Sequence, residues 1–174
     1  MPFTPFHMGF GMAAKAAAGN RMGLISFGVA QVFMDIEPGV RMAMNDAQLH
    51  GLSHTLFGAI GIGVLAIWGS RWLTTKVVSR WNAESKHYGL DWLCVPAAVP
   101  YRVLAVGALL GTTSHLALDS LIHSDMQPLA PFSSANPLLG LVPHDSVYTA
   151  MVVSGCIGVF GWVIRNRIAQ GRAR

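Results

Sequence analysis

The residues best suited to chemistry in this chain are histidines and carboxylates that recur at intervals of four. His50 and His54 are four residues apart, and His115, Asp119 and His123 repeat the same interval. Side chains four apart on an α-helix share one face and are separated by about 6 Å along its axis. Imidazole and carboxylate groups without thiolates are ligands that Zn²⁺, Mn²⁺ and iron take in proteins. The spacing therefore predicts a site for a divalent metal ion.

The triplet at residues 115–123 leaves the number of ions open. Its outer histidines lie about 12 Å apart on a straight helix, because each intervening residue rises about 1.5 Å. One ion cannot bind both of them unless the helix breaks. Either Asp119 bridges two ions, or only part of the triplet binds. The two cysteines, Cys94 and Cys156, lie far apart in the sequence and lack the spacing of a zinc finger.

The segments that must position these residues are typical of a membrane protein. Hydrophobic residues make up 52% of the chain and charged residues 11%, against roughly 25% charged residues in soluble domains. Mean hydropathy is +0.46. About 20 apolar residues are needed for a helix to cross a bilayer. Apolar segments close to this length lie at about 52–68, 101–122 and 147–164, and a shorter one lies at about 22–36. The Gly/Ala-rich stretch 8–18 reaches only about 16 Å. We predict an all-α, polytopic membrane helix bundle with four spanning helices plus an N-terminal half-helix, in a single domain of residues 1–174.

Lysine and arginine indicate how the bundle is oriented. All of them except Arg41 fall on one face when the chain is followed from span to span, and this bias marks the cytoplasmic side. We predict a cytoplasmic loop at about 71–100, a cytoplasmic C-terminus and a non-cytoplasmic, proline-rich loop at about 124–145. The net charge of +4 then reflects topology. Because no recognition motif accompanies it, nucleic acid is not expected as a partner.

Histidines and carboxylates gather at the opposite, non-cytoplasmic face, with the exceptions of His87, Glu84 and Asp91. His115 would lie about 10 Å inside the end of its helix, at a depth where ionisable groups usually face a partner or an ion. A single histidine there is more often a hydrogen-bonding residue between helices than a ligand, and Asp145 is equally suited to be a helix N-cap. These alternatives do not explain why several segments converge, which favours a metal.

Several motifs together resemble one family. They are residues 4–7 (TPFH), 35–38 (DIEP), 50–55 (HGLSHT) and 115–125 (HLALDSLIHSD), followed by 131–133 (PFS). In this order, over most of the chain, they are similar to the bacterial inner-membrane proteins described as metal-dependent hydrolases, which include members described as LexA-binding. The resemblance implies a multi-pass protein of the bacterial inner membrane with hydrolase activity. It also implies a set of metal ligands at matching positions, namely His7, Asp35, His50, His54, His115, Asp119 and His123. Glu37 matches the second residue of the family's acidic pair.

We therefore predict metal-dependent hydrolysis of a phosphoester or lipid-linked substrate at the non-cytoplasmic surface of the bilayer. One or two ions are expected, Zn²⁺ first and Mn²⁺ or iron as alternatives. Glu37 or Asp125 could act as general base if not itself a ligand. No GxSxG motif is present, so serine catalysis is not expected. The alternatives are a divalent-cation transporter and a non-catalytic subunit of a membrane complex, in which the metal only fastens short helices together.

Overall fold

A computed structural model describes residues 4–171, and among these residues it contains helices and no strands. The predicted all-α membrane bundle is thereby confirmed. Short 3₁₀ turns lie at Gly19–Arg21, Leu52–His54 and Asp91–Leu93. The α-helices are α1 (Thr4–Ala18), α2 (Leu24–Ala43), α3 (Leu56–His87), α4 (Tyr101–Ile122) and α5 (His144–Gly171).

Three helices, α3, α4 and α5, are long and apolar enough to cross a membrane. The bounds of α4 coincide with the predicted span 101–122. The fourth predicted span corresponds to α2, whose 20 residues rise about 30 Å, the thickness of a hydrocarbon core. It is not among the three apolar helices, because its second half carries Asp35, Glu37 and Arg41. Helix α1 begins four residues before the predicted stretch 8–18, and its 15 residues rise about 22 Å, less than a hydrocarbon core of roughly 30 Å.

The segment predicted as a cytoplasmic loop at 71–100 is helical as far as His87. Residues 70–87 contain neither glycine nor proline, and polar side chains alone do not end a helix. At 32 residues, α3 is about 48 Å long. It therefore extends well beyond a hydrocarbon core of roughly 30 Å.

The second helix also continues further than its sequence predicts. We expected it to end near Asp35, but it runs through Pro38 to Ala43. A proline inside a helix removes the hydrogen bond to the carbonyl four residues earlier, here that of Met34, without stopping the turns on either side. Asp35 and Glu37 consequently stay on the helix, and being two residues apart they point in different directions.

The helices pack closely against one another along their lengths. Helix α1 packs along α5, α2 packs along α4, and α3 packs against both α2 and α4. A Cβ atom on Gly158 would clash with the backbone of Met12 and Ala13, and one on Gly107 would clash with the carbonyl of Gly23. Small residues at such crossings let helix backbones approach closely in lipid.

Alternating helix directions place the start of α1, the second half of α2, the start of α3 and the end of α4 at the same end. Thr55 caps the start of α3, since its Oγ1 accepts a hydrogen bond of 3.0 Å from the N–H of Gly58. Residues 123–143 form neither helix nor strand and cover this end. They are fastened by the side chain of Asn136, which donates to the carbonyls of Ser120 and His123.

Candidate metal centre

The carboxylate of Asp119, on the last turn of α4, lies at the centre of the histidine cluster and is 2% exposed. Its Oδ2 is 3.2 Å from Nε2 of His115, 3.5 Å from Nε2 of His54 and 3.9 Å from Nε2 of His50. Its Oδ1 is 3.4 Å from Nε2 of His7 on α1. Four imidazoles from three parts of the chain therefore converge on one acid. The rings of His54 and His115, whose proximity the metal hypothesis requires, have centroids 5.2 Å apart.

An inner group of potential ligands consists of Asp35, His54, His115 and Asp119, each with one ligand atom within 4.8 Å of the others. Helix α2 contributes Asp35, whose Oδ1 is 3.3 Å from Nε2 of His115. The i, i+4 spacing of His115 and Asp119 puts both on the face of α4 that meets α2 and α3. His7 adds a fifth side chain, with its ring centroid 4.5 Å from that of His115.

An outer group consists of His50, His123 and Asp125, which meet the same distance criterion. Helix α4 ends at Ile122, and His123 has extended backbone angles (φ −107°, ψ 121°). This break turns the ring of His123 toward His50, with centroids 4.5 Å apart. The outer histidines of the triplet thus belong to different groups, and Asp119 lies between them.

Several buried polar atoms of this cluster have no hydrogen-bond partner. A buried polar atom without a partner costs about 1–3 kcal/mol, and native structures contain few of them. A cation at the centre of the cluster would satisfy these lone pairs better than the contacts of 3.2–3.5 Å that three of the Nε2 atoms make with Asp119. The atoms are Nδ1 and Nε2 of His7, Nε2 of His54, Nε2 of His115, Nε2 of His123 and Oδ1 of Asp119.

In three histidines of the cluster, Nδ1 is held by a hydrogen bond. Nδ1 of His115 donates to Oε1 of Gln31 at 2.6 Å, and Nδ1 of His50 donates to Oδ1 of Asp125 at 2.9 Å. Nδ1 of His54 is hydrogen-bonded to Oγ of Ser53 at 2.8 Å. Partners of this kind fix the tautomer and ring orientation of metal-bound histidines. In each ring Nε2 is thereby directed at Asp119.

Gln31 and Ser53 were not among the residues that the sequence pointed to. Gln31 is fully buried in α2, and its Nε2 donates to the carbonyl of Gly111 at 3.0 Å, which turns its Oε1 toward His115. One signal was available, because Gln31 is a polar residue in an apolar helix, one turn before Asp35. Ser53 offered only its position next to His54.

The Gln31→Leu substitution is expected to weaken metal binding about 10- to 100-fold, the usual cost of losing an outer-shell partner. The leucine removes the oxygen that holds His115 while preserving an apolar fit in α2. Metal affinity can be measured by competition with a chromophoric chelator. Gln31→Glu, which keeps an acceptor oxygen, should bind more tightly than Gln31→Leu, and the exposed Gln127→Leu should match the wild type. Equal affinity of Gln31→Leu and wild type would contradict a role for this contact.

The carboxylates of Glu37 and Asp125, which we predicted as general bases, are both engaged in the structure. Oε1 of Glu37 pairs with Arg41 at 2.9 Å and Oε2 accepts from the N–H of Ser53 at 2.7 Å. Oδ2 of Asp125 accepts from the N–H groups of Leu49 and His50 at 3.0 and 3.1 Å. These contacts hold the segment that carries His50 and His54.

Electrostatics at the rim favour the forms that bind metals. Burial tends to raise the pKa of the Asp125 carboxyl, but the hydrogen bonds from His50 and Leu49 outweigh it and hold the pKa below its ordinary value. Burial lowers the pKa of His123 to about 4 and also lowers that of His54. At neutral pH these groups are a carboxylate and neutral imidazoles, as metal coordination requires.

Asp145 lies outside the cluster and is not an N-cap. Helix α5 begins one residue earlier, at His144, so Asp145 falls in the first turn of the helix. Its side chain is fully exposed, as is much of His144. An acidic residue in the first turn interacts favourably with the helix dipole, and this interaction is sufficient to explain its presence there.

A comparison with protein families finds one match, a family described as YdjM inner membrane protein, over residues 1–172. No curated protein and no solved structure matches the chain. The description of the family gives a location and no reaction. The evidence for a reaction is therefore the cluster of histidines and carboxylates.

Proposed function

We infer that this chain, which belongs to the YdjM inner membrane protein family, binds divalent metal at the Asp119 cluster and uses it for hydrolysis. One observation is the main support for metal binding: Nε2 atoms of buried histidines that form no hydrogen bond surround a buried carboxylate. Without a cation these atoms would be costly to bury. The family description and the three apolar helices support a location in the membrane.

Two ions fit the ligands better than one. The inner group has four candidate ligands and the outer group has three, and each number suits Zn²⁺ or Mn²⁺. Asp119 touches His115 of the inner group and His50 of the outer group through the same oxygen. If both positions held an ion, Asp119 would be the ligand close to both of them.

A pair of divalent ions supplies Lewis acidity and lowers the pKa of water toward neutrality, and such pairs recur in enzymes that cleave phosphoesters. The protein must leave one side of this pair open. The half-buried side chains are Asp35 at 25% and Asp125 at 29% exposure, together with His123, whereas His54 and His115 are fully buried. A substrate would approach at this rim. Because both oxygens of Glu37 and of Asp125 already accept hydrogen bonds, we assign them to positioning the histidines rather than to proton transfer, and Asp125 would bind the outer ion through a remaining lone pair.

The membrane location favours a lipid-linked phosphoester as substrate. The rim lies at the ends of the apolar helices, where lipid headgroups would lie. Next to it, Phe57 and Phe132 are exposed and pack edge to face, with centroids 5.8 Å apart. Aromatic side chains of this kind suit the interface between lipid and water.

A second function is favoured by the burial of the site. His7, His54 and His115 are fully buried, and they tie α1, the start of α3 and α4 together. A metal there would fasten the bundle even without catalysis, as structural zinc does. Such a protein would act as a small subunit of a membrane complex.

A transporter finds less support. Between the cluster and the other end of the bundle, residues 103–114 of α4 and 57–70 of α3 carry no ionisable side chain. A divalent ion on that path would have no charged partner in the hydrocarbon core, at high cost. The basic residues other than Arg41 lie at the end of the bundle far from the cluster. We propose that this end and the C-terminus are cytoplasmic.

Elemental analysis of the purified protein tests metal binding, and turnover that is sensitive to a chelator tests enzyme activity. We expect about two metal ions per wild-type chain, loss of at least the inner ion in His115→Ala, and wild-type content in His87→Ala, whose histidine is exposed near the other end of α3. A panel of phosphoesters and phospholipids should be hydrolysed in a way that EDTA abolishes and added metal restores. Metal-free wild-type protein would overturn both functions, whereas bound metal without turnover would favour the subunit.

A further inference from the structure

The bundle also contains an apolar cavity at the end opposite the metal cluster. Its volume is about 510 Å³, within the range of ligand pockets. It lies between the first turns of α2 and α4, the second half of α3, and residues 95–100. Arg102, which lines it, is about 20 Å along α4 from His115, so this cavity is separate from the proposed catalytic site.

The walls of this cavity combine apolar side chains with positive charge. Among its lining residues the only charged ones are Lys15 and Arg102. Arg102 is exposed, whereas Nζ of Lys15 donates to the carbonyl of Met22 at 2.8 Å. No acidic residue lines the cavity. An anionic group at its mouth would therefore meet Arg102 without a competing carboxylate.

One buried hydroxyl on the cavity wall has no partner. Thr74 is 3% exposed, lines the cavity, and its Oγ1 forms no hydrogen bond. By contrast, the hydroxyl of the adjacent Thr75 donates to the carbonyl of Arg71 at 3.0 Å. Thr74 lies about 27 Å from the start of α3, near the far edge of a hydrocarbon core of roughly 30 Å. Lipid ester groups are found at that depth, and their carbonyls could accept this hydrogen bond.

The cavity wall formed by residues 95–100 is held in place. Asn82 on α3 exchanges two hydrogen bonds with Val95, of 2.8 and 3.0 Å, and Nε1 of Trp81 donates to the carbonyl of Leu93. Nη1 of Arg71 also donates to the carbonyl of Val99 at 3.4 Å. Such anchoring keeps the cavity open in a fixed shape, which favours a specific occupant.

From these features we propose that the cavity binds one anionic glycerophospholipid, with an acyl chain among its apolar walls, an ester carbonyl at Thr74 and the phosphate at Arg102. Basic pockets between membrane helices are known to hold anionic headgroups. The position of the cavity at the basic end of the bundle fits the same chemistry. This proposal does not depend on the metal or on hydrolysis.

Native mass spectrometry of the detergent-purified full-length protein, with added phosphatidylglycerol or phosphatidylcholine, tests the proposal. We expect wild type to retain one phosphatidylglycerol and to prefer it to phosphatidylcholine. Arg102→Gln should weaken retention about fivefold, the value of one basic residue near anionic lipid. Val103→Trp, which places an indole ring in the space proposed for the acyl chain, should weaken retention strongly. Lys76→Gln and Val64→Trp, which change exposed residues of α3 outside the cavity, should retain lipid as wild type does.

Equal retention of the two lipids by wild type, or unchanged retention in Arg102→Gln, would overturn the proposal. Full retention in a folded Val103→Trp protein would also overturn it. Arg102 is exposed, so its replacement is expected to fold and keeps the proposal testable if Val103→Trp does not. Helical content and size-exclusion behaviour, measured on the same samples, report whether each variant is folded.

Discussion

Asp119→Asn is expected to empty both metal positions while leaving the helix bundle folded. Asp119 is the residue shared by the inner and outer groups, and four imidazoles lie within 4 Å of its oxygens. Asparagine keeps the size of the side chain but removes the negative charge that would balance the cations. Loss of an outer-shell partner costs about 10- to 100-fold in affinity, and loss of a bridging ligand should exceed 100-fold for both ions.

Metal content of purified Asp119→Asn, measured by elemental analysis, checks this expectation. Asp145→Asn is a matched control, because that carboxylate is fully exposed on α5 and its ion-pair contact is with its neighbour His144, which lies outside the cluster. Size-exclusion behaviour and helical content should be close to wild type in both variants. If Asp119→Asn retained two ions per chain, the bridge would be wrong, and if it retained one, the ions would be held independently.

Removing the metal with a chelator is expected to lower the thermal stability of the wild-type protein. A ligand that binds only the folded state stabilises it by about 4 kcal/mol at a thousandfold excess over its dissociation constant. Without it, several ring nitrogens and Oδ1 of Asp119 remain buried and unpartnered. Segments 44–55 and 123–143, which depend on the cluster and have little helix of their own, should lose hydrogen-exchange protection first.

The unfolding midpoint with and without EDTA, followed by restoration with Zn²⁺ or Mn²⁺, measures this effect. The Asp119→Asn variant is the control, because a chain that has already lost its metal should not respond to EDTA. An unchanged wild-type midpoint would mean that the metal contributes nothing to the fold and would remove the subunit hypothesis. A fall of equal size in both proteins would point to an effect of EDTA outside the cluster.

Sequence patterns predicted helices well where start and stop signals were local. The bounds of α4 follow from Pro100 before its first residue and from the change in polarity after Ile122. The extent of α2 could not be predicted in this way, because Pro38 is an ordinary signal for a helix end. Tertiary packing overrides that signal, since Pro38 is buried and Glu37 is fastened to Ser53 and Arg41. The extension of α3 to His87 was missed because a polar helix looks like a loop in a hydropathy profile.

The convergence of residues at the candidate site was predictable from the sequence, but the hydrogen-bond partners that hold them were not. Histidines and acids at intervals of four indicate a shared helix face, and the structure brings together all the residues that were expected to bind metal. The partners of their Nδ1 atoms depend on contacts across the fold. Gln31 and His115 are 84 positions apart in the sequence, and no local pattern links them. The end of α4 before His123, which separates the inner group from the outer group, likewise depends on how residues 123–143 fold over this end of the bundle.

The apolar stretches of α3 and α4 beneath the cluster also determine where the ions must come from. Residues 57–70 and 103–114 offer no charged group to a hydrated ion, so, with the proposed orientation, cytosolic metal has no route to Asp119. If the cluster binds metal, loading would occur from the non-cytoplasmic side after insertion, and the metal acquired would follow the composition of that side. A cell could then starve or load this protein through its surroundings without changing its own cytosolic reserves.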